Sequence, residues 1–139
     1  MNRLHPAAAG AAAALCWAAL EPVDRWLFRH DYSDVALLGK AVTRSRAWPV
    51  AGLAMHAANG AIFGLALQAV RRRRDVSATA LALVEHLTLF PLGYVVDRRH
   101  PARGEPGLAP LLSWPAFGQA TLRHLAFGAV LDLLREERP

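Results

Sequence analysis

Residues 53–64 read LAMHAANGAIFG, and they lie in a run from Ala47 to Val70 that carries no charged side chain. A helix of that length, at about 1.5 Å rise per residue, extends roughly 36 Å and can cross a hydrocarbon core of about 30 Å with some tilt. A helix in a water-soluble protein needs a polar face, and this run has none. Within it Gly52, His56, Gly60 and Gly64 recur every four residues, so they share one row of the helix surface. Gly60 and Gly64 form a GxxxG pattern, which lets two helices approach closely. His56 therefore faces a packed seam, and Asn59 borders the same side.

Three further apolar blocks flank this span. The first, mostly alanine, runs from about Leu4 to Leu20 and continues through Glu21 and Pro22 to Phe28. A basic start and a short apolar centre also fit a cleaved signal peptide, but we expect a retained first span. The third, from Ser77 to Val96, contains one acid, Glu85. The fourth, from Ala116 to Leu134, contains Arg123, His124 and Asp132 and is the weakest by hydropathy. The pattern predicts an all-α protein, an integral membrane antiparallel four-helix bundle with spans at about 4–28, 47–70, 77–96 and 116–134. The whole chain, 1–139, is expected to be a single transmembrane helical domain.

Composition agrees with that reading. Hydrophobic residues make up 54% and charged residues 19% of the chain, on either side of the usual soluble range. Mean hydropathy is only +0.19 because arginine-dense connectors dilute the apolar blocks. A pI near 10.6 ordinarily suggests nucleic acid. Here the basic residues sit beside apolar blocks with no recognition pattern, so anionic lipid head groups are the better partner and no nucleic acid is expected. The lone cysteine, Cys16, excludes an intrachain disulfide.

The connectors differ in kind. Between spans one and two, Ser33 can cap a short amphipathic helix reaching Val42, with Val35, Leu38 and Val42 on one side. With Trp26, Phe28 and Tyr32 nearby, it reads as an interfacial helix under an aromatic belt. Arg71 to Arg74 form a tight charged hairpin, and the four prolines between residues 100 and 115 indicate an ordered surface loop. Charge packed into a short hairpin weighs most in setting orientation, which places both termini in the cytoplasm and the chain in the cell membrane.

Counting from the outer ends of the spans puts His56, Glu85, His86, Arg123 and His124 at about 12 to 18 Å depth, in one layer. Charge at that depth faces the bundle interior. Glu85 and Arg123, opposite in sign on consecutive spans, are the expected ion pair, with pinning those spans together as its plainest role. His56, Asn59, Glu85, His86, Gln119, Arg123 and His124 form the candidate ligand-binding set. Glu21, Asp24, His30, Asp31, Asp97 and His100 form a second cluster at the outer interface. Asp97 and His100, three apart, suit a metal or an acid–base pair, but a network tying the outer loops together is the plainer reading.

Two histidines at equal depth permit axial ligation of haem, although no spacing demands it, so no cofactor and no metal are predicted. HExxH, GxSxG and a phosphate-binding glycine loop are all absent.

The phrases LLGKAVTR (37–44), HPARGEP (100–106) and FGQATLRHLAFGAVL (117–131) resemble a family of small multi-span integral membrane proteins from high-GC actinobacteria that has no assigned activity. The resemblance implies a membrane location and carries over no functional residues.

The expected function is binding of a lipid-like ligand or of a membrane-protein partner, with the Gly52/Gly60/Gly64 face available to a partner or a second copy. The rivals are an intramembrane enzyme on a lipophilic substrate and a path for protons or ions. In the enzyme, Glu85, His86, His56 or His124 would move protons and Arg123 would stabilise negative charge.

Overall fold

A computed structural model describes residues 4–134. Arg3, Arg135 and Arg138, whose charges count with the Arg71–Arg74 hairpin towards a cytoplasmic side, lie outside the described residues. Within them the chain is all-helical, with no strand: α1 (Pro6–Phe28), α2 (Asp34–Val42), α3 (Trp48–Arg71), α4 (Ala78–Leu89), a 3₁₀ turn at Phe90–Leu92, α5 (Gly93–Arg99) and α6 (Trp114–Leu133). Three helical stretches are long and apolar enough to cross a membrane: Pro6–Phe28, Trp48–Arg71 and Ala78–Arg99. Pro91 explains the interruption between α4 and α5. It removes a backbone donor and crowds the preceding turn, and the chain tightens to 3₁₀ there.

Helix boundaries follow local chemistry. The hydroxyls of Ser33, Ser77 and Ser113 accept from the backbone N–H three residues on, capping α2, α4 and α6. Proline stands in the first turn of α1, α3 and α6, where its missing N–H leaves no bond unmade. The short connection between α3 and α4 is anchored by Asp132 near the end of α6. Its carboxylate accepts from Arg71 Nη2 at 2.6 Å and from the Ala78 and Thr79 N–H groups at 2.8 and 3.1 Å, the first donors of α4.

Packing follows the small residues. α1 lies against α3 and α6, and α4 lies against α6. A Cβ at Gly60 would overlap the Gly10 carbonyl and the Ala14 side chain, and one at Gly64 would meet the Pro6 carbonyl. Gly52 meets the backbone of Val35 in the same way. The glycine row of α3, expected to be available to a partner, is thus covered by α1 and α2 of the same chain. Glycine allows that contact because two helix backbones touch directly.

α2 forms where Ser33 predicts it, but its buried face is Ala36, Gly39 and Lys40, and not the Val35, Leu38 and Val42 stripe. Val42 is exposed and Tyr32 is buried. The cause is the segment before it. Residues 29–33 turn back into the molecule, so the first turn of α2 is enclosed by α1 and α6 instead of lying along the surface. Trp26 is 78% exposed and Trp114 85% exposed, both at this end of the molecule.

Towards the other end the interior is apolar: Ala9, Ala13, Leu67, Ala78, Ala82, Phe127 and Leu131 form one buried cluster. α3 and α4 are joined by the short hairpin yet do not pack along one another. The row of neighbours is therefore α3, α1, α6, α4, and the gap between its two ends is where the cavity lies.

Candidate functional site

The largest fully buried side chains are not apolar ones but Arg123, Gln119 and Asp24. Arg123 is 0% exposed. Its Nε and Nη2 donate to the two carboxylate oxygens of Asp24 at 2.5 and 2.6 Å, a bidentate clamp from α6 to α1. Its Nη1 donates to Asp34 Oδ2 at 2.8 Å, and Nη2 also donates to the Tyr32 carbonyl at 2.9 Å. Glu21 Oε1 stands 3.8 Å from Nη1. The expected Glu85–Arg123 pair is not formed: Arg123 pairs with Asp24 and Glu21, assigned from sequence to the outer cluster, and with Asp34, which was assigned to no site. The difference has a physical reason. The re-entrant segment before α2 brings Asp34 down to the level of Arg123, and Asp24 lies one turn above the end of α1, so three carboxylates surround a single guanidinium.

Glu21 fixes the start of α2. Its carboxylate accepts from Ser33 Oγ at 2.5 Å and from the Asp34 N–H at 2.8 Å, meeting donors that a helix N-terminus leaves open. Gln119 donates to Asp24 at 2.8 Å and to the His30 carbonyl at 3.1 Å. Trp17 Nε1 donates to Asp34 Oδ2 at 2.9 Å, and its ring sits edge-on to His56 and His124 at 5.2 and 4.6 Å. Trp17 and Asp34 were not singled out from sequence, and Tyr32, expected in an aromatic belt at the interface, is buried instead. The Ser33 cap signal next to Asp34 hinted at a helix start, but only the fold shows that this start is buried.

Beside this knot lies a cavity of about 360 Å³. His56 and Asn59 of α3, Glu85 and His86 of α4, His124 of α6 and Asp34 of α2 contribute its polar wall, and Phe63, Leu89, Phe90 and Phe127 part of the apolar remainder. Of the candidate ligand-binding set, His56, Asn59, Glu85, His86 and His124 line this one space, while Gln119 and Arg123 stand behind its wall. Thr121 Oγ1 donates to the Phe117 carbonyl at 2.8 Å, so it accepts from His86 Nε2 at 3.0 Å. His124 Nδ1 donates to the Ala120 carbonyl at 2.7 Å. His56 is buried, and its Nε2 has no hydrogen-bond partner among the described residues. Glu85 makes no ion pair there either.

The rest of the outer cluster ties loops together. Asp97 accepts from the Leu111 and Leu112 N–H groups at 2.7 and 3.0 Å, and His100 Nε2 donates to the Leu37 carbonyl at 2.9 Å. The two line a second cavity of about 390 Å³ beneath the 100–113 loop, each engaged with backbone. Asp31 accepts from the Gly107 N–H at 2.7 Å and from Arg25. Gly107 has φ +82° and rests on Ala36, where a side chain has neither the backbone conformation nor the space. Lys40 Nζ donates to the Pro106 carbonyl at 2.8 Å. This loop therefore seats α2 in its re-entrant position.

No protein-family model, curated protein or solved structure matches the chain.

Removal of the guanidinium leaves buried carboxylates uncompensated, so Arg123→Met is expected to lose about 3–5 kcal/mol of stability. Glu85→Gln, which breaks no pair, should stay within about 0.5 kcal/mol of the parent. Unfolding in mixed micelles checks both, and equal losses would contradict the pairing. The Gly107 N–H and then Arg25 hold the Asp31 carboxyl below its ordinary value of 3.8. A group with a depressed folded pKa stabilises above its unfolded pKa and loses that contribution as pH falls through the folded one. The melting difference between parent and Asp31→Asn should thus be present at neutral pH and vanish as pH falls through the depressed folded pKa. A difference that grows on acidification would contradict the assignment.

Proposed function

We propose that the chain is an integral protein of the cell membrane, a four-helix bundle of α1, α3, α4 with α5, and α6, that binds a lipid-like ligand in the cavity between α3 and α4. Support for the membrane setting is the inversion of polarity. Leu15, Val23, Leu27, Val50, Ile62, Val84 and Leu87 are exposed, while Arg123, Asp24 and Gln119 are enclosed. Lipid accepts that outer surface and demands that charges face inward. α6 carries Arg123, so it is less apolar than the other spans, but that charge is paired and covered. The short Arg71–Arg74 hairpin favours a cytoplasmic position for that end and for both termini.

The observation that carries the binding reading is the cavity itself. Its volume falls in the range of small-molecule sites, its wall is mostly apolar, and a few polar groups converge on it. A purely architectural layer would be packed and satisfied, whereas His56 Nε2 is left without a partner. Asn59 is exposed yet lines the cavity, so the opening lies along the α3 edge, where an acyl chain can enter sideways from the bilayer.

Two rivals have less support. Arg123 is unsuited to stabilise a developing negative charge, because Asp24 and Asp34 already occupy its donors. Passage of protons or ions requires a wet path, and the cluster of Ala9, Ala13, Leu67, Phe127 and Leu131 closes the interior on the hairpin side.

Ala120 lines the cavity and carries no charge, so Ala120→Phe fills the space without removing a member of a charge pair. Native mass spectrometry of the detergent-purified chain should show a retained lipid mass on the parent. Occupancy on Ala120→Phe should fall at least about tenfold with the melting temperature little changed. An empty parent, or equal retention by both, would contradict the reading.

A further inference from the structure

The cavity wall also restricts the head group of its ligand. A phosphate or carboxylate head needs a cation, and Lys and Arg near this space are committed. Arg123 is clamped by Asp24 and Asp34, and Lys40 donates to the Pro106 carbonyl and pairs with Glu105 at 3.3 Å. Acids outnumber cations around the site: Glu21, Asp24 and Asp34 face one guanidinium, and Glu85 stands on the opposite wall without an ion-pair partner among the described residues. In surroundings of low dielectric, that excess opposes the entry of an anion.

What the wall offers instead is hydrogen bonding. His56 is 6% exposed, lines the cavity, and its Nε2 has no partner. Glu85 supplies an acceptor from the facing helix, and Asn59 supplies an amide at the opening. A hydroxyl both donates and accepts, so it can donate to the Glu85 carboxylate while its oxygen accepts from His56. We propose that the cavity selects an amphiphile with an uncharged hydroxyl head, a long-chain alcohol, over the same chain carrying a phosphate. The selection rests on the lipid-binding reading. It works by both attraction and exclusion, since the hydroxyl meets unpaired polar groups and the phosphate meets excess negative charge.

The full-length chain in a non-ionic detergent, titrated with oleyl alcohol and with oleyl phosphate, tests this directly by native mass spectrometry and quenching of tryptophan fluorescence. The alcohol should bind at least about tenfold more tightly than the phosphate. His56→Leu should weaken the alcohol by about tenfold, and His56→Gln, which keeps a donor, should weaken it less. The alcohol–phosphate comparison uses the parent protein and stands even if a His56 variant fails to fold. Equal or tighter binding of the phosphate would overturn the head-group selection while leaving lipid binding intact. Binding of neither probe, with a co-purified lipid still displaced by Ala120→Phe, would likewise overturn the selection alone. Binding of neither probe by a chain that also purifies empty would overturn the lipid-binding reading with it.

Discussion

The fold depends on one buried guanidinium. Arg123 joins α6 to α1 through Asp24 and to the start of α2 through Asp34 and the Tyr32 carbonyl. Each of these groups is costly to enclose alone, and each is tolerable only because the others are present. The result is a buried polar knot joining α1, α2 and α6, with α3 held to α1 and α2 by glycine contacts and α4 by its packing on α6. α3 and α4 have no such bond to one another. The cavity between them follows from where the polar connections were placed.

That arrangement divides the polar groups into two kinds. Arg123, Asp24, Asp34, Glu21, Ser33 and Gln119 satisfy one another, except that Gln119 Oε1 has no partner among the described residues, and act as structure. His56, Glu85 and Asn59 face the cavity with capacity to spare, while His86 and His124 each have one nitrogen committed to Thr121 Oγ1 or the Ala120 carbonyl. Buried polar groups are normally paired, and in the proposed reading the spare capacity at His56 is what a ligand's head group would meet.

Much of this was legible in the chain. The apolar runs located α1 and α3, Ser33 located the start of α2, and depth counting placed His56, Glu85, His86 and His124 around a common space, whereas the Ser113 cap starts α6 at Trp114, two residues before the expected span. The pairing of Arg123 was not legible. Span-by-span counting treats a connector as lying outside, and nothing local in EPVDRWLFRHDYSD announces that residues 29–34 fold back between α1 and α6. Likewise the GxxxG face showed that a close contact exists but not which helix makes it, because Gly10 and Ala14 of α1 are unremarkable in an alanine-rich block. The break at Pro91 was missed, because the hydropathy of Ser77–Val96 read as continuous.

What binds and where can be read in one measurement: a structure of the chain determined in lipid nanodiscs. The geometry predicts an elongated density between α3 and α4, its polar end within hydrogen-bond distance of His56 Nε2, and Arg123 clamped on Asp24. Closure of α3 onto α4, with His56 bonded to a protein group and no density in the gap, would contradict it.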